Sequence, residues 1–188
     1  MPPTYLHDPD GQLSIGQPAP AIALPDTISG KSVSLEQFRG KAKAICVIFS
    51  CNHCPWVIKY EDRMIEIGSE YADKGVSVVV ISANDIAKYP QDGPAAMMKR
   101  AIEKGYPFPY LYDETQEVAR SYGAQVTPHV FLFDGNLELK YRGAIDDNAD
   151  RESRPTKEYL RDAIEATLNG SSIPTVTTRA IGCGIKWK

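Results

Sequence analysis

The most informative segment of the chain reads AICVIFSCNHCP, from Ala44 to Pro55. Its first six residues form a continuous apolar run rich in β-branched side chains, which is typical of a strand buried on both faces of a sheet. Beyond the cysteines, apolar side chains recur at steps of three and four, which predicts an amphipathic helix that ends near Gly75. This stripe comprises Val57, Tyr60, Met64, Ile67 and Tyr71. Cys51 and Cys54 therefore lie at a strand-to-helix junction.

The next segments supply neighbours for this strand and helix. We predict a second buried strand at 76–81 and a helix at 95–104, which begins after Pro94 and stops at Gly105. A strand–helix–strand order implies that the two strands are parallel.

The second half of the chain changes character. The spacing of Asp113 and Gln116 predicts a capping box for a short helix, and the runs 130–133 and 137–141 flank a strong turn signal, which predicts an antiparallel hairpin. A last amphipathic helix follows at 159–168. The sequence therefore predicts an α/β protein with a mixed central sheet and helices on both faces.

Length and composition indicate one domain. The 188 residues are 43% hydrophobic and 24% charged, which is ordinary globular usage and supplies enough apolar material for a core. We assign residues 1–188 to a single domain with an N-terminal extension at 1–15 and a C-terminal tail at 170–188.

Charge and hydropathy bear on partners and location. A formal net charge of -3 gives no attraction to nucleic acid or to an anionic membrane surface. The longest apolar runs are far shorter than the roughly 20 residues of a membrane-spanning helix, and the first residues lack the order of a secretion signal. Four cysteines are too few for a disulfide framework. We expect a cytoplasmic protein that binds neither nucleic acid nor membranes.

The C-x-x-C spacing of Cys51 and Cys54 suits reversible disulfide formation, because both sulfurs can reach one bond at the start of a helix. The spacing alone also permits metal binding. Free backbone N–H groups at a helix N-terminus stabilise a thiolate, which favours redox chemistry with Cys51 as the nucleophile and Cys54 as the resolving thiol. A cationic His53 would lower the pKa of Cys51 further, and Asn52 is expected beside the pair.

A second element, Gln125-Val126-Thr127-Pro128, precedes the predicted hairpin. An X-Pro bond here could be cis, and a backbone held in that way can pair with an extended peptide substrate. We expect Thr127 and His129 close to the dithiol, where they could tune it.

The other two cysteines have simpler interpretations. Cys46 alternates with apolar neighbours in the predicted strand and should behave as a small hydrophobic residue. Cys183 lies in a Gly-rich tail, which favours a spare surface cysteine over a third redox thiol that docks on the active site. Trp187 could anchor that tail to the body.

These features resemble the thioredoxin-like superfamily, and within it the redoxin (AhpC/TSA-like) branch and a peroxiredoxin-like subgroup with a C-x-x-C site. The motifs that carry the resemblance are Gly16-Gln17-Pro18-Ala19-Pro20, Phe38-Arg39-Gly40-Lys41, the dithiol segment, Thr127-Pro128, Tyr106 to Asp113 and Ile181 to Lys188. The resemblance implies a thioredoxin-like fold, Cys51 as attacking thiol, Cys54 as resolving thiol and Pro128 as the cis-proline that faces them. Peroxiredoxins carry Pro and Thr where this chain has Ala44 and Ile48.

We therefore predict a thiol–disulfide oxidoreductase that needs no cofactor or metal beyond its cysteine pair. Its partners would be protein or small-molecule disulfides, peroxides as a further substrate class, and a thiol system that donates or accepts electrons. One alternative is a thiol-dependent peroxidase with an antioxidant role. Another is a copper metallochaperone that binds Cu(I) through Cys51, Cys54 and a histidine such as His129.

Overall fold

The computed structural model describes residues 4–150 and 155–188. The first three residues of the predicted N-terminal extension lie outside this description. Within it, the chain forms the following strands and helices: β1 (Ala23–Pro25), β2 (Ser32–Ser34), β3 (Ala44–Ser50), α1 (Pro55–Ala72), β4 (Val76–Ser82), α2 (Pro94–Lys104), β5 (Tyr110–Tyr112), α3 (Glu117–Tyr122), β6 (Val126–Thr127), β7 (His129–Asp134), β8 (Leu139–Gly143), α4 (Tyr159–Asn169) and β9 (Cys183–Gly184).

The central sheet has five strands in the order β5-β4-β3-β7-β8. Strand β3 pairs in parallel with β4, which pairs in parallel with β5, whereas β7 runs antiparallel to both β3 and β8. All seven residues of β3 are buried, because the strand lies in the middle of the sheet and is covered on both faces. The predicted mixed sheet is confirmed.

Side chains of β3 alternate between two hydrophobic clusters. Ala44, Cys46 and Ile48 point to the face covered by α1, α2 and α4. The alternate residues Ile45, Val47 and Phe49 point to the face covered by α3, the N-terminal segments and the C-terminal tail. Cys46 is fully buried, and burial raises its pKa to about 12, so it behaves as the predicted small hydrophobic residue.

Two local predictions are wrong. Strand β8 begins at Leu139 instead of Leu137, because Leu137 has a positive φ of 62° and belongs to the turn. The capping box before α3 does not form: Asp113 accepts the N–H of Ala119, but the Gln116 side chain donates to the carbonyls of Ala83 and Lys186. Gln116 thus ties the C-terminal tail to the body.

Both predicted tails are packed in place. In the N-terminal extension, Leu13 is buried, and Asp8 and Asp10 form ion pairs with Arg142 of β8. At the other end, β9 pairs antiparallel with β6. Of the four helices in the described ranges, none is long and apolar enough to cross a membrane.

Candidate active site

The two cysteines of the C-x-x-C segment lie where β3 passes into α1. Cys51 follows the last residue of β3, and Cys54 is the N-cap of α1. Pro55 occupies the first helical position, where its missing N–H has no intrahelical partner to lose. Cys51 is 1% exposed and Cys54 0%, so the pair is covered in this structure.

The Thr127–Pro128 peptide bond is cis, as predicted, and its segment lies against the dithiol. The hydroxyl oxygen of Thr127 is 3.5 Å from Cys51 Sγ, and its carbonyl oxygen is 3.4 Å from Cys54 Sγ, within reach of an S–H donor. The structure therefore brings Cys51, Cys54 and Thr127 together, next to Pro128.

The electrostatics of the pair differ from the prediction for Cys51. The close contact between the Cys51 and Cys54 side chains lowers the pKa of Cys54, as do contacts with Cys183 and the backbone N–H of Val57. The pKa of Cys51 is raised, first by its contact with Cys54, then by burial and by the charge of Asp92. Within the pair, a thiolate is therefore favoured on Cys54 over Cys51.

The start of α1 explains this correction. The helix begins at Pro55, and its free N–H groups belong to Trp56 and Val57. The N–H of Val57 faces Cys54, so the positive end of the helix favours charge on this sulfur. Cys51 lies before the helix and receives only the backbone N–H of Cys54, which does not offset the causes that raise its pKa.

Asp92, which the sequence analysis missed, organises the loop between the cysteines. Its side chain is 0% exposed, and one oxygen accepts the backbone N–H groups of Asn52 at 2.8 Å and His53 at 3.3 Å. The other oxygen accepts Asn84 Nδ2 at 3.0 Å and forms a short contact with His53 Nδ1. No motif marks Asp92 in the sequence, since only the fold brings residues 90–92 to the dithiol.

His53 therefore acts differently from the prediction. Its ring is stacked on Tyr89, with centroids 5.2 Å apart and planes 6° apart, and its Nδ1 is directed at Asp92. The imidazole is therefore engaged by Asp92 and Tyr89, and is not placed as the isolated group that the sequence suggested.

Cys51, His53 and Asp92 each offer a potential metal ligand, and these atoms lie within 4.8 Å of one another. Four donors already bind the Asp92 oxygens, namely two backbone N–H groups, His53 and Asn84. An ion would have to displace some of them. The arrangement is therefore better described as a hydrogen-bonded network that holds the loop.

Asn52 is the buried anchor of the same loop. Its Nδ2 donates to the carbonyl of Gln91 at 2.8 Å, and its Oδ1 accepts the hydroxyl of Tyr110 at 2.9 Å. Asn52 thus positions the dithiol segment through contacts with β5 and with the 90–92 turn.

His129 does not take the predicted role beside the dithiol. Its Nδ1 accepts the N–H of Gln125 at 3.2 Å, and its Nε2 lies 3.0 Å from Gln12 Oε1. Burial, followed by the charge of Arg142, lowers its pKa to about 3, so the ring is neutral. Because both ring nitrogens are engaged, His129 offers no lone pair to a copper ion, and the copper interpretation loses its histidine ligand.

A cleft of about 450 Å³ opens beside Pro128. Apolar side chains, including Trp56, Ile145 and Ile181, line it together with the polar residues Asp146 and Arg179. The cleft adjoins the cis-proline and lies between the start of α1 and residues 144–150.

Comparison with known proteins gives a consistent picture. The Redoxin family model matches residues 14–160. The thiol–disulfide oxidoreductase ResA of Halalkalibacterium halodurans is 25% identical over 125 residues, which cover 66% of this chain and 65% of that protein, so the chain spans slightly less than two thirds of this relative. ResA of Bacillus cereus is 26% identical over 152 residues, covering 80% and 79% of the two chains. An uncharacterised conserved protein from Geobacillus kaustophilus has a solved structure with a TM-score of 0.88 and 44% identity, covering 93% of each chain.

Proposed function

Since the chain belongs to the Redoxin family, we propose that it is a thiol–disulfide oxidoreductase that reduces or exchanges disulfides of other proteins. One observation carries the proposal: Cys51 and Cys54 pack together and both contact Thr127, whose bond to Pro128 is cis. The two relatives named ResA support the same class of activity. The enzyme works with its cysteine pair and without a further cofactor.

The reaction proceeds in two exchanges. Cys51 first passes its proton to the Cys54 sulfur packed beside it, which yields the Cys51 thiolate. That thiolate attacks one sulfur of the substrate disulfide, and the other sulfur leaves as a thiolate that takes up a proton. Cys54 then gives up its proton and attacks Cys51 Sγ, which releases the second substrate thiol and leaves a Cys51–Cys54 disulfide. Substrate gains two electrons and the protein loses two.

A polypeptide substrate is supported by the cleft beside Pro128. Trp56 and Ile181 give it an apolar surface, and Ile181 is 56% exposed. Because Cys51 is almost fully covered, a partner that binds this surface must also displace what covers the sulfur. Small-molecule disulfides remain a second substrate class, and an external thiol system returns the oxidised protein to the dithiol.

The test is dithiothreitol-coupled reduction of insulin by the wild type and by Cys51→Ser and Cys54→Ser. We expect both variants to lose the activity. Cys46→Ala is the matched control, because Cys46 is fully buried in β3 and should leave the rate unchanged. Insulin reduction by Cys51→Ser at the wild-type rate would refute the proposal.

Peroxide reduction by the same dithiol is the second candidate. It is favoured by the packing of Cys54 against Cys51, because the resolving thiol lies beside the thiol that would be oxidised. Attack of the Cys51 thiolate on a peroxide would give a sulfenic acid, and Cys54 would condense with it to form a disulfide and water. Peroxide consumption coupled to thioredoxin and its reductase tests this role. A wild-type rate no higher than that of Cys51→Ser would exclude it.

For location we propose the cytoplasm. Four cysteines without a disulfide among them suit a reducing compartment, where a close pair stays ready to donate electrons. Cell fractionation with acid-quenched alkylation checks this. Recovery of the protein outside the cytoplasmic fraction would contradict the proposal.

A further inference from the structure

The C-terminal tail lies on the backbone edge that precedes the cis-proline. Strand β9 pairs antiparallel with β6, with Cys183 opposite Thr127, and the Ile185 N–H donates to the carbonyl of Gln125 at 3.0 Å. An extended peptide substrate would pair with this same edge. The tail therefore takes the position of a substrate strand and brings its own cysteine to the dithiol.

The tail is held there by specific contacts. Lys186 donates its N–H to Asn84 at 2.9 Å, and its carbonyl accepts from Asp85 and Gln116. The Trp187 ring lies under the guanidinium of Arg120 at 4.5 Å, so the predicted anchoring by Trp187 is confirmed. The expectation of a loose tail around Cys183 is therefore wrong.

Gly182 shows how closely the tail approaches. A Cβ at this position would lie 2.0 Å from the carbonyl oxygen of Thr127, so only glycine fits against the backbone of β6. At Gly184, two residues on, a Cβ would find its nearest neighbour 4.0 Å away. The chain thus offers one position where a methyl group must displace the tail and a nearby one where it should not.

Three sulfurs meet under this strand. Cys183 packs against the cluster of Cys51, Cys54 and Val57, and it pairs with Thr127, whose carbonyl oxygen contacts Cys54 Sγ. Cys54 therefore lies between two thiols and contacts both. Cys51 and Cys54 are at most 1% exposed, whereas Cys183 is partly exposed.

We propose that Cys183 is a third redox thiol, which takes over the disulfide from Cys51 and presents it to the external electron donor. The proposal rests on the proposed disulfide exchange at Cys51 and Cys54. Cys183 loses its proton and attacks Cys54 Sγ of the Cys51–Cys54 disulfide, the old S–S bond breaks, and Cys51 leaves as a thiolate that takes up a proton. The protein keeps the same number of electrons. An external thiol then attacks the more exposed sulfur, Cys183, and two such thiols return the protein to three free thiols.

The first test maps disulfides in the full-length protein. Wild type, Cys51→Ser and Cys54→Ser are oxidised with diamide, quenched with alkylating agent in acid and analysed by mass spectrometry without reduction. We expect Cys51→Ser to form a Cys54–Cys183 bond and Cys54→Ser to leave Cys183 free of a bond within the chain. Free Cys54 and Cys183 in folded, oxidised Cys51→Ser would overturn the proposal.

The second test measures how fast the oxidised protein is reduced by glutathione. Cys183→Ser should oxidise normally at Cys51 and Cys54 but be reduced on the order of tenfold more slowly, because the remaining disulfide is buried. Reduction of Cys183→Ser at the wild-type rate would contradict the relay.

Two glycine variants test the position of the tail independently of the chemistry of Cys183. In the Cys51→Ser background, Gly182→Ala should abolish the Cys54–Cys183 bond, whereas Gly184→Ala should keep it. Equal yields of the bond in the two variants would contradict the placement of the tail. Insulin reduction distinguishes the two proposals: if wild type reduces insulin through Cys51 yet no Cys54–Cys183 bond forms, only the third thiol is refuted.

Discussion

Asp92 gives the sharpest test of how the protein sets the charge of its dithiol. Its carboxylate and Cys51 Sγ lie within 4.8 Å, and its charge raises the pKa of Cys51. Two unit charges at that distance interact by about 3.5 kcal/mol if the effective dielectric constant is about 20. At roughly 1.4 kcal/mol per pKa unit, this corresponds to about 2.5 units. The donors that surround Asp92 offset part of it, so we expect Asp92→Asn to lower the pKa of Cys51 by about 1 to 2 units.

The measurement is the pH dependence of Cys51 alkylation by iodoacetamide, followed by mass spectrometry so that each cysteine is resolved. Asp92→Asn is made on a Cys54→Ala background, where Cys51 titrates without its coupled partner. Asp113→Asn is the matched control, because Asp113 is also a buried carboxylate but is not among the charges that act on Cys51. A Cys51 midpoint that stays in place or rises in Asp92→Asn would refute the reasoning. The same holds if Asp113→Asn lowers the midpoint equally.

Three further predictions concern stability. Glu61 is 1% exposed and bound by Arg100 at 2.7 Å, so Glu61→Gln should cost about 2 to 3 kcal/mol in urea unfolding and leave insulin reduction by the folded protein unchanged. The pKa of His129 is lowered to about 3 in the folded protein, so as the pH falls the imidazole is protonated in the unfolded chain first. The free energy of unfolding should therefore fall as the pH drops from about 6.5 towards 3, by up to about 1.4 kcal/mol per pH unit. His129→Gln should flatten the stability profile in that window, and an unchanged slope would contradict the assignment. Tyr110→Phe leaves Asn52 Oδ1 without its buried donor and should cost about 1 to 3 kcal/mol, whereas no loss on urea unfolding would mean that another donor replaces the hydroxyl.

Local patterns were enough to predict the scaffold of the site. The apolar run at 44–49 can bury all of its side chains only in the middle of a sheet that is covered on both faces. The apolar residues of α1 form one face of the helix, so both elements follow from neighbouring residues in the sequence. The dithiol at the strand-to-helix junction follows from the same local rules, whereas the cis bond before Pro128 was implied by the family resemblance, and the structure contains both.

The charge distribution could not be predicted in this way, because it depends on residues far apart in sequence. Asp92 carries no motif, yet it binds the backbone beside Cys51 and changes what His53 can do. Gly182 appears in the sequence as a sign of flexibility, whereas the fold uses it for close packing against Thr127. Gln116 has the spacing of a helix cap, but tertiary contacts with the tail satisfy its amide instead.

The burial of Cys46 in β3 has a consequence for how the protein matures. In the unfolded chain, Cys46 is close in sequence to Cys51. An oxidant could therefore form a Cys46–Cys51 disulfide in place of the Cys51–Cys54 disulfide. Once β4 and β7 pair with β3, Cys46 is enclosed in the core cluster beneath the helices, apart from the cluster that holds Cys51 and Cys54. Assembly of the central sheet thus separates Cys46 from the two thiols of the dithiol. Refolding before oxidation should yield correctly paired protein, and oxidation before refolding should trap scrambled chains.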